Sequence, residues 1–318
     1  MKVATLLGVG ADALEQALCF KESTFGIGET ITIPLDPPKA ADQRDAFAKF
    51  IYGKLFDFIV YRVNNILFRG KPGRNIGVLD IFGFEVFKTN SFEQLCINYC
   101  NERLQSFFNT IIFENERKMY ESEEIDCSDI VYQNNIGCVR LIDQRNTGIF
   151  ALLDEEVVVP RGSDAKFVAR LHTTFDETPA TKSSYFVRNK RKPNDFGVNH
   201  FAGEVMYTVD GFLEKNKDTL SSILVNLLKK STLNVVSTMV VIGDEDAGGP
   251  SSGPGRKSEV NSRKSQRAEK ATLATKFKTD LDSLMINLES TVPHFIRCVK
   301  PNDAQQPNKF DFLLSSLG

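Results

Sequence analysis

The chain has 318 residues, 42% of them hydrophobic and 25% charged, the balance of a folded soluble protein with room for one large or two ordinary domains. The net charge of −2 singles out no partner, and the most apolar tract, 56–68, is broken by Asp57 and Arg62, so no transmembrane segment is expected. Six cysteines without a Cys-x-x-Cys pair and without a signal peptide imply reduced thiols in the cytoplasm, and three scattered histidines argue against a zinc site.

In chain order, Ala11 to Cys19 predicts a short helix with Asp12 as a possible cap and Leu14 and Leu18 on one face. Ser23 to Pro34 alternates around Gly26-Ile27-Gly28, the pattern of a hairpin. Asp42 to Phe68 reads as a core helix, with Phe47, Phe50, Ile51, Leu55, Phe58 and Ile59 at steps of three and four. Gly70 to Arg74 is a loop into the apolar run Ile76-Gly77-Val78-Leu79, which predicts a buried strand closed by Asp80. Asp80-Ile81-Phe82-Gly83 has the form Asp-x-x-Gly. It is either a plain turn or part of a phosphate site, in which the Asp holds Mg²⁺ through water and the Gly amide reaches a phosphate. Two overlapping helix starts come next, Asn90 with Glu93 or Ser91 with Gln94. Apolar residues then recur from Phe92 to Ile112, and neither Gly nor Pro interrupts the run to Glu124. A helix of about 30 residues would be about 45 Å long and suits a strut. Cys96 and Cys100, one turn apart on it, are expected to face the core.

Further on, Val157-Val158-Val159 before Pro160-Arg161-Gly162 reads from its residues alone as a buried strand. Arg188, Lys190, Arg191 and Lys192 form a basic cluster before Pro193. Phe196 to Tyr207 alternates as strands, and Ser221 to Lys230 reads as a helix ending in a basic turn. Residues 243–270 change composition to a Gly/Pro/Ser-rich stretch followed by Lys257, Arg263, Lys264, Arg267 and Lys270, which predicts a disordered basic segment. Phe277, Leu281, Leu284, Met285 and Leu288 mark a last helix, before a strand-like Phe295 to Val299.

Asp80-Ile-Phe-Gly-Phe-Glu85 resembles the switch II motif of myosin motor domains, and Asn90 to Gln105 with Phe107-Phe108-Asn109 resembles the start of the myosin relay helix. Tyr52 to Asp57, Gly148 to Glu156, Phe196 to Tyr207, Gly211 to Asp218 and Pro293 to Asn302 are similar to myosin segments in the same order. The resemblance implies an α/β, predominantly helical fragment of a myosin-type P-loop motor with a few strands of its central sheet. On that reading, 1–75 ends the upper actin-binding half and 76–242 carries switch II, the relay helix and the lower actin-binding half. Residues 243–270 are the disordered basic loop 2, and 271–318 hold a helix and a central-sheet strand.

Carried over, the resemblance places Asp80 near Mg²⁺ through water, the Gly83 amide at the γ-phosphate of ATP, and Glu85 in a pair with a switch I Arg that closes the catalytic site. It puts Val157, Val158, Val159 and Pro160 on an exposed tip, where an apolar patch suggests a protein partner, and makes them, the cluster Arg188, Lys190, Arg191 and Lys192, and the loop 2 residues Lys257, Arg263, Lys264, Arg267 and Lys270 contacts for filamentous actin. Loop 2 is then an actin tether, not a nucleic-acid site. The family's relay loop commonly has a Trp; this chain has none, and Cys127 stands in its place. The sequence contains no Gly-x-x-x-x-Gly-Lys-Ser/Thr and no Asn- and Ser-rich run ending in Arg-Phe-Gly. The phosphate loop, switch I, converter and lever arm, with its light chains or calmodulin, are therefore expected to be missing. The expectation is a partial actin-based motor of the cytoskeleton without turnover of its own. The alternatives are a non-catalytic actin-binding fragment and an incomplete reading of the gene for a whole myosin.

Overall fold

The computed structural model describes residues 2–25, 29–67, 74, 76–127, 132–217, 220–245, 272–296, 302, 304 and 306–310. The five basic residues expected in loop 2 lie outside the described residues, as do Val299 and the residues after Phe310. The chain forms two compact units, one of residues 1–81 and 215–273, the other of 82–214 and 274–318. Residues 215–242, expected to continue the 76–242 region, thus belong to the first unit.

The first unit begins with α1 (Lys2–Leu7) and α2 (Ala11–Cys19), followed by the hairpin β1 (Phe20–Phe25) and β2 (Glu29–Pro34). The hairpin pairs Phe20 with Pro34 through to Phe25 with Glu29, and Gly26, Ile27 and Gly28, where its turn is expected, lie outside the described residues. Then come α3 (Pro37–Leu67) and, later in sequence, α10 (Ser222–Lys229) and α11 (Asn234–Glu245). Leu14, Ala17, Phe47, Leu224, Leu228 and Val240 form its core. Helix α3 corrects the expectation of a core helix. Only Phe47 is buried in it, with Phe50, Ile51 and Phe58 half-buried, whereas Leu55, Phe56, Ile59, Val63 and Ile66 are exposed. Its partners α2 and α11 cover one side of the stripe and leave the rest in water.

The run Ile76 to Leu79 is likewise no strand. It is irregular and exposed, Ile76 at 97%. No described strand runs beside it, and a strand without a partner has no ladder of hydrogen bonds to hold it. Phe295 and Ile296 are irregular for the same reason. The described strands lie in two small antiparallel sheets, not in a central one.

The second unit is built on α4 (Phe92–Asn109), which runs without a break through a π turn (Thr110–Glu114) into α5 (Asn115–Ser122). Ser91 is its N-cap, and the Ser91 N–H donates to Gln94 Oε1 at 3.0 Å, so the second of the two possible starts is the one formed. Asn90 instead closes a turn, accepting from Phe87 N–H at 2.7 Å and donating to the carbonyls of Phe87 and Met206. Around α4 pack α6 (Ile136–Asp143), α7 (Ile149–Val158), α8 (Asp164–His172) and α12 (Leu273–Glu289). A sheet of β3 (Phe186–Arg188), β4 (Asp195–His200) and β5 (Gly203–Thr208) completes it, followed in sequence by the short α9 (Phe212–Asn216). The β4–β5 hairpin pairs His200 with Gly203, whose φ of +127° suits glycine. Phe92, Tyr99, Phe150, Phe167, Phe196 and Phe212 meet in the core, mostly edge to face. No described helix is long and apolar enough to cross a membrane.

Candidate functional site

The Asp-x-x-Gly run is open to solvent. Asp80, Phe82 and Gly83 are exposed, and a Cβ at Gly83 would meet nothing within 4 Å. An exposed carboxylate and one backbone amide do not make a nucleotide site. A phosphate cradle needs several converging N–H groups and a Lys, and these 318 residues contain no such motif. The residues present therefore do not fit ATP and Mg²⁺ on their own.

The two residues after Gly83 are held firmly. Phe84 packs edge-on against His200 and Phe201, with ring centroids 5.1 and 5.7 Å away. The Asn98 side chain on α4 grips the backbone of Glu85 twice. Its Oδ1 accepts from Glu85 N–H and its Nδ2 donates to Glu85 C=O, both at 2.8 Å. The Glu85 carboxylate accepts from Gln94 Nε2 at 3.2 Å, so a second α4 residue holds the side chain. Asn101, one turn on, donates to Phe82 C=O at 3.1 Å.

Behind Asn98 lies a buried polar cluster. Asn98 Nδ2 also donates to the Tyr207 hydroxyl at 3.0 Å, and that hydroxyl lies 2.8 Å from His200 Nε2. His200 Nδ1 lies 2.9 Å from Glu102 Oε1, with both side chains at 0% exposure. Glu102 accepts further from Phe201 N–H at 2.8 Å and from Asn135 Nδ2 at 2.5 Å. Asn135 is in turn 3.4 Å from Asn109 Nδ2, at the start of the π turn. The α4 helix therefore carries one polar seam from the Glu85 turn to the place where its own winding loosens.

Burial raises the Tyr207 phenol well above its ordinary value, with the Asn98 hydrogen bond opposing in part. Burial likewise pushes up the Cys138 thiol, and the neighbouring Glu102 carboxylate adds to it. Cys138 Sγ lies 3.8 Å from His200 Nδ1, so Glu102, Cys138 and His200 converge. Zinc in a tetrahedral site would hold its N and O ligands about 3.3 Å apart. The 2.9 Å spacing of Nδ1 and Oε1 is a hydrogen bond, and every carboxylate oxygen already has an N–H donor.

The described residues expected at an actin surface take no part in this seam's hydrogen bonds. Val157 is half-buried at the end of α7, whereas Val158 is 80% and Val159 47% exposed. The run is a tip, not a strand, turned by Arg161 at φ +61°. Pro160 is exposed beside the two valines. Arg188 sits at the end of β3 and pairs with Glu177 at 3.0 Å and Asp176 at 3.4 Å. Lys190, Arg191 and Lys192 are exposed, on a turn in which Asn189 Oδ1 accepts from the N–H groups of Arg191 and Lys192 at 3.0 Å. The structure brings Gly83 and Glu85 to one turn.

The polar seam is not evident from motif reading, but α4 carries a signal for it. Asn98 and Glu102 follow Leu95 by three and seven residues, on the buried side of the helix. A carboxylate and an amide on an apolar face demand partners.

The description "Myosin head (motor domain)" matches residues 1–316. The chain is 41% identical over 312 residues to the Myosin-I heavy chain of Dictyostelium discoideum, covering 97% of this chain and 12% of that protein. It is 40% identical over 312 residues to Myosin-VIIa of Drosophila melanogaster, covering 98% of this chain and 13% of that protein. With the High molecular weight form of myosin-1 of Acanthamoeba castellanii it shares 39% over 316 residues, 98% of this chain and 19% of that protein. The chain thus spans between about an eighth and a fifth of the length of these relatives. A match over nearly all of its residues, on a helix that is capped by Ser91 and holds the backbone of Phe82 and Glu85, means that the chain belongs to the myosin motor-domain family.

Proposed function

We propose that this chain supplies the filament-docking surface and the switch II–relay coupling of a myosin motor, and that it binds filamentous actin without turning over ATP by itself. The observation that carries the docking half is the tip at Val158 and Val159. Two apolar side chains are held out in water, capped by Pro160, on a helix otherwise packed into the core. Exposed apolar side chains grouped at a turn favour a protein partner over a solvated loop. Lys190, Arg191 and Lys192, together with the loop 2 residues Lys257, Arg263, Lys264, Arg267 and Lys270, supply positive charge for an acidic filament surface. In a whole motor, Asp80 serves Mg²⁺ through water, Gly83 faces the γ-phosphate, and Glu85 closes the site. ATP, light chains or calmodulin then belong to the complete assembly, which works in the cytoplasm on the cytoskeleton.

Co-sedimentation of the purified chain with filamentous actin tests the docking half. Binding should be weak, indifferent to ATP, and reduced by added salt, because exposed charges are screened over about 8 Å at physiological ionic strength. Neutralising Arg263, Lys264 and Arg267 together should weaken it several-fold further, and Val158→Ser with Val159→Ser should do so without changing the salt slope. Binding that ignores both changes would mean the surface has been misassigned.

Phosphate release tests the other half. The chain alone should hydrolyse no ATP with or without actin, since the Gly-rich loop and its Lys carry most phosphate contacts in such enzymes. Actin-stimulated release abolished by Asp80→Ala would overturn that reading.

A further inference from the structure

The buried contacts behind Glu85 have a direction, and the direction decides whether the Glu85 turn is held. Both oxygens of Glu102 face N–H donors, Phe201 N–H and Asn135 Nδ2. Its Oε1 therefore acts as an acceptor, and His200 Nδ1, 2.9 Å away, must carry the proton. In the neutral imidazole that leaves His200 Nε2 as an acceptor, which takes the Tyr207 hydroxyl proton across 2.8 Å. With its proton committed, the Tyr207 oxygen can only accept on its other side, and there it takes Asn98 Nδ2 at 3.0 Å. Asn98 is thereby set with Nδ2 toward Glu85 C=O and Oδ1 toward Glu85 N–H, the one amide orientation in which both 2.8 Å contacts are hydrogen bonds.

We propose that Tyr207, oriented through His200 by buried Glu102, is a positioning residue for the Glu85 turn, and that the His200 tautomer decides between a held and a released turn. With the proton on Nε2 instead, His200 would donate to Tyr207. Tyr207 would then donate toward Asn98 and select Oδ1 on that side. Turning the amide over sets donor against donor at Glu85 N–H and acceptor against acceptor at Glu85 C=O. Two hydrogen bonds on the turn are then lost by a change at a ring buried on the far side of Tyr207. The inference deepens the reading of Asp80–Glu85 as switch II. Its test uses neither actin nor nucleotide, so the docking proposal and this one can fail separately.

Nitrogen-15 NMR of the imidazole in the intact chain reads the tautomer. The protein has three histidines, and His200→Gln assigns the signal. A neutral ring protonated on Nδ1 is expected; a ring protonated on Nε2, or on both nitrogens, overturns the proposal. Hydrogen exchange on Tyr207→Phe reads the consequence. Phenylalanine fills the same space and removes only the hydroxyl that links Asn98 to His200. Exchange at the Glu85 amide should rise roughly five- to tenfold, the effect of losing support worth about one hydrogen bond. Core amides of α4 such as Leu95 and Tyr99 should hold within a factor of about two. Unchanged exchange at Glu85, or a rise shared equally by Leu95 and Tyr99, would show that Tyr207 merely fills the core. Should Tyr207→Phe fail to fold, the tautomer alone decides.

Discussion

Raising the pH from about 8 to about 11 is expected to destabilise the second compact unit strongly. Four buried groups there resist losing a proton. Cys96 is pushed up to about 12 from an ordinary 9.0, by burial first and by the charge of Glu93 second. Cys138 is raised further, by burial and then by Glu102. Tyr99 and Tyr207 are raised from an ordinary 10.0, each mainly by burial. In the unfolded chain the thiols ionise near pH 9 and the phenols near pH 10, while in the folded chain they stay protonated. The folded state therefore binds more protons, and stability must fall as pH rises. The contribution is complete below pH 9 and declines from there through the folded values. Each pH unit withdraws on the order of 1.4 kcal/mol per independent group, and because these groups also feel one another the four together remove several kcal/mol by about pH 11. Domains of this size have only about 5–15 kcal/mol in total. Urea midpoints measured by circular dichroism should be level from about pH 7 to 9 and fall steeply beyond. Cys96→Ala, less stable at neutral pH, should lose roughly 3 kcal/mol less over the same rise. A midpoint that stays level to pH 11 would mean that these side chains reach water in the native state.

The same four residues show what a sequence discloses. Cys96 and Tyr99 fall on the apolar stripe of α4, and the stripe is legible because helix periodicity is a local property. The hairpin expected over Ser23 to Pro34, which begins three residues earlier at Phe20, and the strands around Gly203 were legible for the same reason: alternation and turn residues lie within a dozen positions of each other. The π turn at Thr110–Glu114 was not. Phe107, Phe108, Ile111 and Ile112 satisfy steps of three and four, yet Ile112 is exposed, because one wider turn shifts the phase of every later position. The strand expected at Ile76–Leu79 failed on a different ground. Its composition was right, but a strand is made by its neighbours, and composition is silent about whether they are there.

The site divides likewise. Asp80, Gly83 and Glu85 stand out in a motif, and periodicity announces the helix that holds the backbone of Phe82 and Glu85. The pairing of Glu102 with His200 was not, since the two stand 98 positions apart and each looks ordinary in its own run. Only the position of Glu102 on a buried face hints that something must satisfy it. Burial also decided between the two readings of Val157–Val159. Three valines carry strand propensity, but α7 ends there, and the chain must turn back to start α8 at Asp164.

That reversal rests on Gly162, and Gly162→Ala is expected to cost the most of any single added methyl group near the tip. A Cβ there would lie 2.0 Å from the carbonyl oxygen of Glu156 and 3.2 Å from its carbonyl carbon. The obstacle is helix backbone in the last turn of α7, which cannot swing aside as a side chain can. Glu156 is itself buried, and its Oε1 accepts from Ser163 N–H at 3.2 Å, so the chain is pinned on both sides of the clash. Overpacking of this kind costs typically about 1–3 kcal/mol, and a backbone obstacle puts this case at the upper end. For a unit of this size about 3 kcal/mol lowers the melting temperature by roughly 6–12 °C. Gly137→Ala is the matched control. Its Cβ would come within 2.4 Å of the Tyr185 ring, which is half-buried and can rotate away, so a smaller loss is expected. Relief of the clash at Gly162 must move the turn carrying Val158 and Val159. Gly162→Ala should therefore weaken actin co-sedimentation several-fold even at temperatures where the chain is fully folded, whereas Gly137→Ala should leave it unchanged. Equal binding by both variants, with the melting shift confined to Gly162→Ala, would separate the tip from the filament contact and leave the basic segments to carry the docking alone.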